Sequence, residues 1–187
     1  SFSIVEKPEL PVIEFSKLNI CEGDEIHFES KSSTAGIKDW VWDFGEGVQI
    51  TNVNKLFKTF NAYDTLLLKH VVKFSETCMS DTAIIKFIVY ANPKVEIVNS
   101  IACYSVDGID FSEKSSTADD AKIIAHNWSF GDGQSSIEQS PTHTYATVGK
   151  YNVSLVVETE HGCRNNTAVN FDLQANPELD FKLLDAL

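Results

Sequence analysis

The sequence predicts an all-β chain of two tandem β-sandwiches. Three observations carry that expectation. Apolar residues alternate with polar ones in short runs, no run shows a helical period, and an ordered set of markers occurs twice along the 187 residues. In the first copy Ile26 and Phe28 share one strand face while His27 and Glu29 take the other. Trp40, Trp42 and Phe44 alternate with Val41 and Asp43 in the same way. In the second copy Tyr151, Val153, Leu155 and Val157 alternate with Asn152, Ser154 and Val156. Clusters of Gly, Asn, Asp and Ser break the runs, as expected of half-buried antiparallel strands. For the second copy the strands are expected near 94–99, 107–113, 124–130, 133–137, 142–146, 150–159 and 166–173. Seven such strands in about 85 residues is the pattern of an immunoglobulin-like sandwich.

The repeat sets the domain organisation. CEGDEIHFESKSST at Cys21 returns as CYSVDGIDFSEKSST at Cys103, and Ser32 recurs as Ser115, an offset of 83. Trp42-Asp43-Phe44-Gly45-Glu46-Gly47 returns as Trp128-Ser129-Phe130-Gly131-Asp132-Gly133 at an offset of 86, and Cys78 as Cys163 at 85. Lys7-Pro8-Glu9-Leu10, Asn92-Pro93-Lys94-Val95 and Asn176-Pro177-Glu178-Leu179 mark the start of successive units. The expected division is a first sandwich over 1–91, a second over 92–175, and the opening of a further repeat or a linker over 176–187. The proline-containing junctions favour a semi-rigid rod. The chain opens on Ser1, which reads as a mature product or an excised segment.

Composition removes several classes of function. The net charge is −12, and Arg164 is the only arginine, so a polyanion meets a repelling field and few bidentate phosphate forks. Nucleic-acid binding is excluded on that ground. No apolar run approaches the ~20 residues of a membrane-spanning helix, so no membrane insertion is expected. With 43% hydrophobic residues and 12 Phe, the chain is too apolar for a disordered acidic tail.

The motif Trp-x-Phe-Gly-Asp/Glu-Gly has a mechanical rationale. Trp42 and Phe44, and likewise Trp128 and Phe130, point inward from one strand, and Gly45, Gly47, Gly131 and Gly133 supply the positive-φ positions of a tight hairpin. In the second copy the run HNWSFGDGQSS continues through SPTHTY, with His143 and Tyr145, and VGKYNVSLVV. These residues resemble a polycystic kidney disease (PKD) domain, an immunoglobulin-like module of bacterial and archaeal surface proteins. The first copy departs from the pattern, with Leu56-Phe57-Lys58-Thr59-Phe60 in place of Pro-x-His-x-Tyr and Asp64 in place of Gly149. Cysteines before strand B and after strand F resemble the repeats of large secreted adhesins and gliding-type surface proteins. That resemblance implies an extracellular stalk or adhesin role without catalysis. Its implied partners are neighbouring repeats of the same or an identical chain, and an extracellular glycan or protein.

The four cysteines read as structural disulfides of an oxidising compartment, since no Cys-x-x-Cys spacing suggests a metal. Closing a loop of about 60 residues contributes about 4 kcal/mol in the chain-entropy model. Two arrangements remain open. Parity pairs Cys21 with Cys78 and Cys103 with Cys163. Immunoglobulin topology places the start of strand B and the end of strand F at opposite ends, which favours slightly a bridge between modules, Cys21 to Cys163. Cys78 and Cys103 would then serve neighbours outside the segment. Unlike antibody domains, this chain has Phe28 and Phe111 at the strand-B position, and the cysteines are expected outside the strands.

Asp43, Glu46 and Asp132 are candidate calcium ligands, weighed against the turn chemistry that Asp favours beside glycine. No other cofactor is implied. His143 is expected as a structural residue beside Trp128. Trp40, whose counterpart is His126, is expected to pack at a sheet end or junction, a sugar-stacking platform being the alternative. No nucleophile, base and oxyanion constellation can be drawn, so the chain is not expected to be an enzyme. The expected function is a spacer of a secreted bacterial surface protein, supporting adhesion or forming part of a filament or stalk. The alternatives are a glycan- or protein-binding module and an accessory domain of a secreted hydrolase. Non-reducing peptide mapping separates the disulfide arrangements: a Cys21–Cys78 peptide would exclude the bridge between modules.

Overall fold

A computed structural model describes residues 9–32, 35–98 and 101–175. Ser33, Thr34, the Lys7-Pro8 marker and the expected further repeat over 176–187 lie outside the described residues. The described chain is strand, turn and bend, with no helix among the described residues. It divides into two compact units. Asn92 ends the main part of the first and Pro93 opens the second, and His161–Cys163 belong with the first unit.

The first unit is built from β1 (Ile13–Phe15), β2 (Ile20–Cys21), β3 (Glu25–Ser30), β4 (Asp39–Asp43), β5 (Val48–Thr51), β6 (Lys55–Thr59), β7 (Asp64–Lys73) and β8 (Ala83–Tyr90). One sheet runs β1-β3-β6 and the other β2-β8-β7-β4-β5. The alternation in sequence decides what each strand buries. Ile26 and Phe28 of β3 face Trp40 and Trp42 of β4, Leu68 and Val72 of β7, and Phe87 and Val89 of β8 in one core. His27 and Glu29 are left on the outer face of the first sheet.

The second unit contains β9 (Ile101–Cys103), β10 (Ile109–Asp110), β11 (Ile123–Ser129), β12 (Ser135–Ser136), β13 (Thr142–His143), β14 (Gly149–Thr159) and β15 (Arg164–Gln174). Its sheets run β10-β13 and β12-β11-β14-β15-β9. The core gathers Phe111, Trp128, Phe130, Tyr145, Val153, Leu155, Val157, Phe171 and Leu173.

Three expectations are corrected here. Over its described residues, 94–98, the run at 94–99 is not a continuous strand; it pairs antiparallel with 112–116 through isolated bridges, Lys94 with Ser116 and Ile97 with Glu113. The run at 107–113 shrinks to Ile109–Asp110: the Phe111 amide still donates to Pro141 O at 2.8 Å in the same register, but Pro141 has no N–H to return the bond and the ladder stops there. Cys21 and Cys103 lie in strands rather than outside them: β2 pairs parallel to β8 and β9 parallel to β15. The chain changes sheets between β1 and β2, so the residue before strand B ends on the last residue of the final strand. Cys21 is paired with Tyr90 and Cys103 with Gln174.

The two motif hairpins differ in how tightly they depend on glycine. Gly131 has φ +82°, and an added Cβ would come within 2.7 Å of the Asn152 carbonyl oxygen and 2.8 Å of its nitrogen. Gly45 has φ +90° but open space around it. Gly131→Ala is therefore expected to cost about 3 kcal/mol or more, from backbone strain plus an unrelievable clash, and Gly45→Ala about 1 kcal/mol from strain alone. Urea midpoints of the two variants measure the difference.

Candidate functional site

The motif residues converge on a ring stack at one end of each sandwich. In the second unit Trp128 and Phe130 lie with planes 6° apart and centroids 6.4 Å apart. His143 stacks on Phe130 at 4.0 Å with planes 5° apart. The expected neighbour of His143 was Trp128; β13 brings it instead over the Phe ring, because it sits on the opposite sheet beside the hairpin. His143 Nε2 donates to Asp132 Oδ2 at 2.8 Å, and Asp132 Oδ1 accepts the Gln134 amide at 3.0 Å. Tyr145 Oη donates to the Phe130 carbonyl at 3.0 Å, and Trp128 Nε1 to Glu138 O at 3.0 Å. Burial pushes the Tyr145 hydroxyl far above the ordinary phenol range, so it stays a donor.

The first unit reaches the same arrangement with other chemistry. Lys58 takes the place of His143, and its Nζ lies 5.2 Å from the Phe44 centroid and 2.9 Å from Glu46 Oε2. Phe60 replaces Tyr145 and packs on Phe44 at 5.8 Å. A nitrogen donor that covers the motif Phe and hydrogen-bonds the acidic residue of the hairpin is thus common to both copies. The signal was available in the sequence: Lys58 and His143 are 85 apart, Glu46 and Asp132 are 86 apart, and only their partnership was missed.

These partnerships occupy the candidate calcium ligands. Asp43 Oδ1 accepts the Gly45 amide at 2.8 Å, Glu46 pairs with Lys58, and Asp132 pairs with His143. Among the described residues no group of three or more His, Cys, Asp or Glu side chains could hold a metal ion. Trp40 is buried at 5% exposure, so its ring has no free face for a sugar. Its indole Nε1 is buried without a hydrogen-bond partner. Its counterpart His126 instead lies 3.3 Å from Glu113 Oε1, an ion-pair distance without hydrogen-bond alignment.

Cys21 and Cys163 form a disulfide with Cα atoms 5.6 Å apart. The Cys21 amide donates to Asp24 Oδ2 at 2.7 Å and the Glu22 amide to Tyr90 O at 3.0 Å, and these bonds hold the backbone on both sides of the cysteine. His161 stacks on Tyr90 at 3.7 Å. Cys78 and Cys103 are free thiols. The pairing by parity is overturned for a geometric reason. Cys21 aligns with the last residue of β8 while Cys78 precedes its first, about 25 Å away at ~3.3 Å per residue. Cys103 and Cys163 sit at opposite ends of the eleven-residue β15, about 35 Å apart. Neither pair meets the ~7 Å limit for a bridge.

The fold and these sites define a class: immunoglobulin-like sandwich modules whose motif side chains are engaged in packing and hydrogen bonding. Residues 90–172 match the family model of the PKD domain, a non-catalytic module, so the second unit is of PKD type. Collagenase ColQ1 of Bacillus cereus (strain Q1) is 41% identical over 56 residues, 30% of this chain and 6% of that protein. The microbial collagenase of Vibrio alginolyticus is 43% identical over 56 residues, 30% of this chain and 7% of that protein. Among solved structures, the PKD1 domain of Vibrio anguillarum Epp is 27% identical with a TM-score of 0.38, covering 46% of this chain and 99% of its own. The chain therefore spans less than a tenth of the length of these curated relatives.

Two groups lose their stabilisation as the pH falls, in different ranges. Burial holds the His70 imidazole, stacked 3.9 Å from Trp42, below its usual pKa of 6.5, against the bond from Nδ1 to Val41 O. The unfolded chain then binds the extra proton, so this contribution is present above pH 6.5 and is lost as pH falls below it. Burial also opposes ionisation of Asp132, but the Gln134 amide and His143 outweigh it and hold the carboxyl below 3.8. Its stabilisation is lost only as pH falls through that lower range. Urea unfolding of the wild type and His70→Asn should diverge between pH 7.5 and 5.5, the wild type losing more. Asp132→Asn should differ from the wild type least at the most acidic pH.

Proposed function

We propose that this chain is a non-catalytic spacer of an exported multidomain protein, built so that tension does not lengthen it. The Cys21–Cys163 disulfide carries the proposal. A force applied beyond these cysteines passes from one side of the bond to the other. The chain between them, a separation of 142 residues, stays outside the load path. Only β1, β15 and their flanking chain can be peeled. The disulfide also implies an oxidising, extracellular compartment, and in the chain-entropy model a loop of this size contributes about 5 kcal/mol to stability.

The same pairing rule extends to neighbours. With Cys21 and Cys163 bonded to each other, the free thiols leave Cys103 for a following repeat and Cys78 for a preceding one. That is the arrangement of a stalk or filament of an adhesin. The identity with two collagenases supports a second setting, an accessory segment beside the catalytic domain of a secreted hydrolase. The sequence flanking this segment distinguishes the settings, and the spacer role is common to both.

Single-molecule pulling from the two termini tests the load path. Without reductant the 142-residue loop should stay closed. Adding reductant should release about 470–510 Å of further contour length, at 3.3–3.6 Å per extended residue. Full extension without reductant, or identical traces for the wild type and a Cys21→Ser, Cys163→Ser variant, would refute the proposal.

A further inference from the structure

The outer face of the β1-β3-β6 sheet carries an aromatic ledge that the core does not need. Phe57 of β6 is 56% exposed. It is paired across the strands with His27 of β3, whose ring meets it edge-on at 4.3 Å and 69°. The ledge borders a cavity of about 310 Å³, walled by Phe15, Ser16, Glu14, Glu29 and Lys55 beside the two rings. Lys31 bridges Glu14 at 3.3 Å and Glu29 at 2.8 Å, and Lys55 approaches Glu29 at 3.8 Å. The matching place in the second unit is built differently: Thr142 stands where Phe57 does, 85 residues on, and its hydroxyl donates to Asp110 at 2.6 Å. The duplicated fold thus does not require an exposed aromatic residue there.

We propose that this ledge binds a pyranose ring of a glycan. The cavity lies at the small end of the ~300–1,000 Å³ range of small-ligand sites, and one Phe with one His is too narrow for a protein-docking patch of several hundred Å². Its chemistry suits a polyhydroxylated ring. The apolar C–H face of a sugar packs on Phe57. Each hydroxyl both donates and accepts, which matches a rim where carboxylates alternate with ammonium groups. A purely anionic or cationic ligand would have to displace one partner from the Glu14-Lys31-Glu29-Lys55 chain of ion pairs, whereas a neutral sugar need not. The site is independent of the spacer role, since pulling reads the disulfide and sugar binding reads the β3–β6 surface.

Titrating the isotope-labelled full chain with cellohexaose, xylohexaose and N-acetylchitohexaose, followed by amide NMR shifts, tests the site. At least one sugar should shift His27, Lys55 and Phe57 in the millimolar range or tighter. Phe57→Ala should weaken it at least tenfold while the Trp42 indole signal stays in place, Lys55→Ala should weaken it less, and Phe57→Trp should retain it. Absence of shifts with all three sugars would overturn the proposal, as would shifts mapping elsewhere or unchanged binding by Phe57→Ala. Shifts at Phe57 with gelatin and not with sugars would overturn it in favour of a protein ligand.

Discussion

Each sandwich hangs on one phenylalanine of strand B. Phe28 contacts the rings of Phe44, Phe60 and Phe87 at 5.1, 6.3 and 6.0 Å, and Phe111 contacts Phe130, Tyr145 and Phe171 at 5.2, 6.5 and 5.1 Å. The three partners come from the end of the motif strand and from the last strand, both in the facing sheet, and from the end of the strand paired beside the ring itself, so one ring ties both sheets. It occupies the position where an antibody domain has an inter-sheet cysteine. Aromatic pairs add about 0.5–1.5 kcal/mol each beyond their buried area, so three such contacts can stand in for a covalent staple. The cysteines are thereby released from the core and can act at its ends.

Everything around that ring follows from keeping it dry. The motif hairpin must turn within a few residues of Phe44 or Phe130, which puts glycine at positive φ. The turn exposes an acidic side chain next to the ring, and a nitrogen donor from the facing sheet hydrogen-bonds it while covering the Phe face. His143 with Asp132 and Lys58 with Glu46 are two solutions to this one constraint. They also explain why Glu46 and Asp132, candidate metal ligands in the sequence, are engaged by side chains of the facing sheet.

Much of this was legible in the sequence. The period of two separated Phe28 and Ile26 from His27 and Glu29 correctly, because side-chain direction in a strand depends only on local geometry. Trp42, Trp128, Phe44 and Phe130 were equally readable as core, since large apolar residues at alternate positions have nowhere else to go. Strand ends were less so: 94–98 and 107–113 alternate well, yet the first pairs only through isolated bridges and the second stops opposite Pro141, and the partner a run meets is not encoded in its local pattern. The Lys58–Glu46 pair was hidden because substitution of both members erased the family pattern while preserving its physics.

The sequence by itself determined that the chain is all-β, duplicated, acidic and closed around aromatic cores, because those properties rest on period, composition and offset. Tertiary structure alone decided where the cysteines meet and which aromatic is bare. Cys21 and Cys78 are nearer in sequence than Cys21 and Cys163, but a strand of eight residues separates the first pair and a shared end unites the second. Trp40 and Phe57 are both aromatic residues on alternating strands, yet one is buried and the other open. Which face of a strand meets the core is local, but which end of a sheet receives a distant loop depends on how the whole chain is threaded.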